Sequence, residues 1–454
     1  MNIKRGFRKI LERILYNRKF VLFTLVFFFF KTKKFGNQNK KNSIKKHKIL
    51  ALNPDRFRGD LNVLDNIDDF CIVTIPFNLH AWMINSFYSY PERLSDFYQP
   101  KVNSSIYLSR VKCRAYLKLF LSWYYKLLQI DCVLGAAVHY KQDFDWGAVT
   151  NQLNIPFIVL HRENLMQCIP GPYEFAVKFY KMLGFFEGTK IIVHNNEAVR
   201  CFVESGYADN DQVLALGCLR MDSYLNQILK SRLKSSSRRK KVSFFSFSAG
   251  TNLFFPWMLN GGFKQWPDDK SLAMYSFFDN SIIAIGQLAQ ENPEIDFVIK
   301  PKWAGDWIDR IEKALDKGDI NYSQQSNLSI LPSVNPHELI LESDVVCGFG
   351  STVLLEAGVA KKSVVMPLFD EAQKPEFSDY ILFGDYLEMF KVAYSSDEFK
   401  ALILDELESP SITDDQIKQR EKLFNQWVSG MDGMVTKRYT ELIKSEIRES
   451  KKYA

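Results

Sequence analysis

ESDVVCGFGSTVLLEAG, residues 342–358, is a short apolar run, then a turn of Gly348, Gly350, Ser351 and Thr352, then a stretch with helical spacing. An uninterrupted run of this length bounded by glycine reads as a strand buried on both faces, which is the strand of a parallel sheet. Strand, glycine turn and helix together make half of a βαβ unit. The same alternation extends outward on both sides. VSFFSFS (242–248), IDFVIKP (295–301), LSILP (328–332) and SVVMPLF (363–369) read as further strands of this half, with helices at about 271–290, 305–317, 335–342, 352–360 and 396–408. Upstream, DDFCIVTIPF (68–77), DCVLGAAVHY (131–140), IPFIVLHREN (155–164), KIIVHNN (190–196) and QVLALG (212–217) form an earlier series. Helices fit between them at 107–129, 173–187 and in NEAVRCFVESG, which opens on an Asn cap and ends near Gly206.

The expected fold class is therefore α/β, with two tandem Rossmann-like, doubly wound parallel-sheet domains. The polar string SRLKSSSRRKK (231–241) marks the connection between them. Boundaries follow at 1–50 for a basic and apolar arm, 66–230 for the first domain, 242–410 for the second, and 411–454 for a charged amphipathic segment. Leu423, Phe424, Trp427, Val428, Met434 and Leu442 give that last segment an apolar stripe long enough to cross back over the first domain.

At 454 residues, 46% hydrophobic and 14% aromatic, most of the chain can bury a large core, which excludes general disorder. The net charge of +7 is unevenly placed. Residues 1–50 carry 15 Lys/Arg and one acidic residue, whereas the remainder carries 44 basic against 51 acidic, a net of −7. A folded body of that sign argues against nucleic acid as a partner. Cys71, Cys113, Cys132, Cys168, Cys201, Cys218 and Cys347 stand singly, with no Cys-x-x-Cys pair. They read as reduced core residues of a cytosolic protein, and no zinc-ligand spacing occurs.

The arm holds FVLFTLVFFFF (20–30) between a basic amphipathic segment and Lys31, Lys33, Lys34, Lys40, Lys41, Lys45, Lys46 and Lys48. Eleven helical residues rise about 16 Å, half of a hydrocarbon core of about 30 Å. Lysines stand where a signal peptide would have its small-residue cleavage site. The expectation is monotopic, peripheral attachment to an anionic membrane surface, at the cytoplasmic face of the inner membrane. The alternative is a helix packed on the body followed by a basic linker.

Ligands of open parallel sheets bind outside the carboxyl ends of the strands, so the candidate site residues follow each strand. In the second domain these are Gly350, Ser351 and Thr352, whose amides suit an anion. Glu356 is placed for a ribose, Lys300 and Lys302 for phosphate charge, and Ser248, Gly250 and Thr251 for the opposite wall. His337 and Glu338, after Asn335-Pro336, stand where a base would be read or where a helix is capped. In the first domain His139, Tyr140 and Asp143 follow one strand, and His161, Arg162, Glu163 and Asn164 the next. Glu163, His161 and Asp143 qualify by position as the general base for a hydroxyl nucleophile, with His194 and His80 weaker candidates.

Four segments carry a resemblance. GCLRMDSYL (217–225) resembles the junction between the two domains of bacterial GT-B glycosyltransferases, and residues 337–369 resemble their donor-binding region. IKPKW (299–303) and IPFIVLHRENL (155–165) are similar to segments of surface-carbohydrate, capsule and glycerophosphate-polymer synthesis proteins. The similarity covers about residues 68–380. It departs from the family in two places. Glu338, Glu342 and Glu356 lack the seven-residue spacing of the glutamate pair common in retaining members, and Pro301-Lys302 stands where many members have His-Pro.

The resemblance implies a metal-independent, inverting transferase with no permanently bound cofactor. It would move a sugar from a nucleotide-sugar donor to a surface-glycan or lipid-linked acceptor in bacterial polysaccharide biosynthesis. A CDP-glycerol-type glycerophosphotransferase, a nucleotide-sugar epimerase and a non-catalytic scaffold of the same fold at the membrane stay open as alternatives.

Overall fold

A computed structural model describes residues 21–36, 47–89, 94–231, 238–247 and 274–452. The first domain runs in the order α1 (Val21–Lys31), β1 (Lys33–Lys34), β2 (His47–Ala51), α2 (Arg58–Asp65), β3 (Phe70–Thr74), α3 (Phe77–Asn85), α4 (Leu94–Tyr98), α5 (Ser105–Leu128), β4 (Cys132–Gly135), α6 (Lys141–Gln152), β5 (Phe157–Leu160), α7 (Pro170–Leu183), β6 (Lys190–Val193), α8 (Asn196–Glu204), β7 (Val213–Ala215) and α9 (Met221–Ser231). Its seven strands lie in the order β1-β3-β2-β4-β5-β6-β7, all parallel except the β1–β3 pair.

Strand residues alternate between two apolar layers, as the two-residue period of a strand requires. Leu50, Val73, Val133, Val159 and Ile191 face α3, α5, α6, α7 and α8. Ile49, Ile72, Leu134, Ile158 and Ile192 face α2 and the C-terminal helix. The sheet is thus covered on both sides.

The second domain follows with β8 (Lys241–Phe245), α10 (Tyr275–Glu291), β9 (Asp296–Lys300), α11 (Asp306–Lys317), β10 (Leu328–Ile330), α12 (Pro336–Glu342), β11 (Val345–Gly348), α13 (Val353–Val359), β12 (Ser363–Pro367), β13 (Lys391–Ala393) and α14 (Ser396–Glu408). Its sheet is wholly parallel, in the order β10-β9-β8-β11-β12-β13. That is the strand order of a dinucleotide-binding domain, with its switch point between β8 and β11. In the first domain the order reverses between β2 and β4.

Three boundaries differ from the sequence reading. His47–Ala51 is an internal parallel strand between β3 and β4, so the first domain's sheet begins inside the segment assigned to the arm and well before residue 66. The arm's apolar string forms α1, docked on α5 through Thr24, Leu25 and Phe28, with Phe28 edge-on to Phe120 at 5.0 Å between ring centroids. The C-terminal segment is two helices, α15 (Asp414–Trp427) and α16 (Val435–Ser450), broken at Gly430 and Gly433. Leu423, Phe424 and Trp427 of α15 stay with the second domain's core. The end of α15 touches the first domain, where the Asn195 side chain donates to the Trp427 carbonyl at 2.8 Å, and α16 packs along that domain, burying Val435, Tyr439, Ile443 and Ile447 against its sheet.

Cap residues follow local chemistry: the cap of α8 is Asn195, one residue earlier than expected, accepting from the Ala198 amide at 2.8 Å. All seven cysteines are free thiols. Among the described residues no helix is long and apolar enough to cross a membrane.

Candidate functional site

The carboxyl ends of the two sheets face one another across the domain junction. Beyond β5, Leu165, Cys168 and Ile169 leave the first domain and pack against the second domain's core. From the other side, His337 at the start of α12 stacks on Tyr224 of α9, with ring centroids 4.1 Å apart and planes inclined by 22°. The Tyr224 hydroxyl donates to the Glu356 carbonyl at 2.8 Å. Of the positions named from the sequence, His337 and Glu356 are therefore at the domain junction.

On the second domain, Phe245 at the end of β8 pairs with Gly348 of β11 on one side and with Lys300 of β9 on the other. Lys300 and Gly348 thus stand two strand spacings apart, roughly 10 Å, on the same edge of the sheet. Gly350 has φ +61°, a left-handed conformation that glycine adopts without strain. The backbone amides of Gly350, Ser351 and Thr352 have no hydrogen-bond partner among the described residues. The helix behind them, α13, has only seven residues, so its dipole adds little and the turn's own amides are what is on offer.

Lys300 is half-buried and donates to the carbonyls of Pro301 and Pro332 at 2.9 and 3.0 Å, and burial pulls its ammonium below the usual lysine range. Lys302 is exposed, beside the half-exposed ring of Trp303. Gly250 and Thr251, with Ser248, lie outside the described residues.

Glu356 and His337 differ from their expected roles. Both are buried, and the His337 Nε2 lies 3.2 Å from a Glu356 carboxylate oxygen. Burial by itself would raise the Glu356 carboxyl; the bond and charge of His337, with the charge of Arg220 and a bond from the Thr352 side chain, outweigh it and hold the group below the usual range. In this arrangement Glu356 is committed to His337, and it reaches a ribose only when that pair opens. The His337 amide is capped by the Asn335 side chain at 3.0 Å, so the capping role is filled by Asn335 and the ring belongs to the Tyr224–Glu356 junction.

The three first-domain carboxylate and imidazole candidates also separate. Asp143 is buried on α6, with both oxygens 2.8 Å from the Asn53 side-chain amide and one 3.6 Å from His80 Nε2. Burial raises its carboxyl far above the usual range, Asn53 notwithstanding. Its bonds to Asn53 tie the helix after β4 to the segment after β2, the two strands between which the order reverses.

His161 is buried with Nε2 3.1 Å from the Tyr180 hydroxyl, and burial drives its imidazole well below the usual range. Neither residue presents a base to a bound molecule. Glu163 is exposed at the end of β5, between half-buried His139 at the end of β4 and half-buried His194 at the end of β6. Burial lowers His194 to about 4 and lowers His139 also, against the attraction of Glu163. Of the three, Glu163 alone is exposed.

One element of this wall was not named from the sequence. Asp60, buried on α2, lies 3.5 Å from Arg162 Nε and 3.3 Å from Arg220 Nε, and so holds two guanidinium groups beside Glu163 and His194. The neighbouring Gly59 is the sign of it, since a Cβ there would stand 2.7 Å from the Arg220 Cδ. Among the described residues no group of three His, Cys, Asp or Glu side chains is placed to hold a metal ion.

No family model matches the sequence, and no curated protein matches it. Solved structures are similar at low identity. The UDP-GlcNAc 2-epimerase of Neisseria meningitidis bound to UDP-GlcNAc is 14% identical, with a TM-score of 0.47 over 88% of this chain and 100% of that one. A putative UDP-N-acetylglucosamine 2-epimerase of Listeria monocytogenes is 12% identical, with a TM-score of 0.48 over 89% and 97%. A UDP-forming trehalose-phosphate synthase of Burkholderia xenovorans is 11% identical, with a TM-score of 0.44 over 89% and 99%. Identities this low leave the chemistry to be argued from the chain's own residues. Two doubly wound parallel-sheet domains facing each other across one junction, with a terminal helix returning to the first, constitute the GT-B fold.

Proposed function

We propose that the chain is a glycosyltransferase that moves a sugar from a nucleotide-sugar donor to a surface-glycan acceptor, lipid-linked and presented at the cytoplasmic face of the inner membrane. The reading is supported by an amide turn and Lys300 that share one edge of the second sheet, and by an exposed carboxylate, Glu163, that ends a strand of the first. The Gly350–Thr352 amides and Lys302 take the donor's diphosphate, with the charge of Lys300 behind them. Glu163 accepts the proton of the acceptor hydroxyl as that oxygen bonds to the anomeric carbon, and the bond from that carbon to the phosphate oxygen breaks. The leaving charge is received by the same amides and lysines, so the residues present supply the neutralisation without assigning it to a metal.

The test is a thermal-shift screen of the purified protein with UDP-, GDP-, CDP- and CMP-linked compounds, followed by product analysis with the labelled donor that binds. A melting shift with one nucleotide class, and label transferred to a glycan, is expected. Glu163→Gln keeps the shift and lowers turnover by roughly 100-fold or more. A labelled donor returned as its epimer without any acceptor replaces this reading with the epimerase. Transfer from a CDP-linked polyol replaces it with the glycerophosphotransferase, and the absence of any shift leaves the scaffold.

A further inference from the structure

The docking of α1 on α5 leaves a second apolar surface that no described element covers. One side of α1 is buried, while Leu22, Phe23, Val26 and Phe30 on the opposite side are exposed, Phe30 by 75%. On α5 the residues that receive α1 are Tyr116, Phe120 and Tyr124. Leu119, Trp123 and Leu127 each follow one of these by three positions, which places them on the adjoining stripe of the same helix, and all are exposed. Soluble monomers rarely leave such residues together in a patch.

The charge around the patch is of one sign. Lys31, Lys33 and Lys34 are exposed where α1 runs into β1, Lys112 and Lys126 are exposed on the Trp123 side of α5, and Lys118 is exposed on its other flank. None of the six makes an ion pair with a described carboxylate. The sequences of α1, β1 and α5 contain no Asp or Glu at all.

We propose that this α1–α5 face docks on an anionic lipid bilayer, with Phe30, Val26 and Trp123 entering the headgroup boundary and the lysines lying on the phosphates. Large apolar side chains interleaved with lysine along two helices suit the interface plane, where one side of the surface is apolar and the other negatively charged. A second copy of the chain is a poorer occupant, because a self-complementary interface would set the same lysines against each other. The proposal rests on the surface alone and is independent of the chemistry in the cleft.

The full chain is mixed with vesicles of phosphatidylcholine, or of phosphatidylcholine with about one-third phosphatidylglycerol, and sedimented. Binding to the anionic vesicles and little to the neutral ones is expected. Phe30→Ser with Trp123→Ser lowers the anionic partition at least tenfold. Lys112→Glu with Lys126→Glu does so by roughly fivefold for each lysine. Melting temperatures stay within those of the wild type, and any nucleotide-induced shift is unchanged, so a failure here is distinct from a failure of the cleft chemistry. Equal binding to both vesicle types overturns the proposal. So does wild-type partition of both double variants, or a dimer in light scattering that Phe30→Ser with Trp123→Ser disperses.

Discussion

Replacing Asp222 tests how the returning helix is held. Asp222 begins α9, and its two carboxylate oxygens accept from the backbone amides of Val435 at 3.2 Å and Thr436 at 2.7 Å, the first amides of α16. It is an N-cap supplied from a segment more than 200 residues away, and it is buried. A cap of this kind is worth about 0.5–2 kcal/mol, and charge on a partly buried helix end adds up to about 2 kcal/mol. Asp222→Ala should therefore weaken the start of α16 by about 2 kcal/mol, and Asp222→Asn, which keeps one acceptor and loses the charge, by about half of that.

The helix does not come away, because its four buried side chains contribute on the order of 5–10 kcal/mol. The loss is local, so hydrogen exchange is the fitting assay; a two-domain chain has no single unfolding free energy to compare. A change of about 2 kcal/mol corresponds to roughly 30-fold faster exchange of the Val435 and Thr436 amides, with Ile443 and Ile447 nearly unchanged. Exchange of Val435 and Thr436 at the wild-type rate in Asp222→Ala would refute the capping argument.

Other outcomes follow from the same contacts. His80 is fully buried against Trp146 and held at about 4, so it is neutral in the folded chain at pH values where the unfolded chain binds a proton. Its contribution is complete above pH 6.5 and is lost as the pH falls from 6.5 toward 4, by about 3 kcal/mol in all. His80→Gln, which keeps a donor for the Gln142 carbonyl, should flatten that part of an acid-unfolding curve. Phe28→Ala should cost about 3–5 kcal/mol by leaving a cavity under α1, whereas Phe30→Ser should cost under about 0.5 kcal/mol, as chemical denaturation will show. Gly350→Ala forces a side chain into a left-handed turn at a cost of about 1–2 kcal/mol. A nucleotide's thermal shift should shrink with it.

The sheets were legible because strands of parallel sheets are apolar on both faces. CIVT, CVLG, FIVL, KIIV and VVCG all stand out from their surroundings. HKILA did not, since it follows directly on the lysines of residues 40–46 and its apolar part is only three residues long. KVA of β13 is too short to show any period. Helix α6 was missed because its pattern is inverted: Asp143, Asp145 and Thr150 are buried on it, each bonded to a remote segment.

The same remoteness limited the site. Strand-end position picked out Glu163, His161 and Asp143 alike. What separates them are Tyr180, Asn53 and His80, which no spacing places beside them. Glu356 read as free because its partner, His337, lies on a different helix.

The segment from Gly217 to Leu225 joins more than two domains. The Cys218 amide donates to the Val428 carbonyl at 3.1 Å, at the end of α15, and Gly217 accepts from Tyr439 of α16 at 2.9 Å. Gly217, at φ +88°, is the residue this crossing needs, since a Cβ would stand 2.8 Å from Ser429 Oγ. Three residues on, Arg220 reaches Asp60 on the first wall of the cleft, and four residues further Tyr224 reaches Glu356 and His337 on the second. Four residues is about one helical turn. The two walls are therefore gripped from adjacent turns of one short stretch that also carries the cap of α16. A rotation of one domain against the other must strain these contacts together or exchange them together. Opening the Glu356–His337 pair removes the ring stacked on Tyr224, one turn from the guanidinium that Asp60 holds beside Glu163. Geometry around Glu356 on the second domain and geometry around Asp60 and Arg220 on the first are for that reason not independent in this chain.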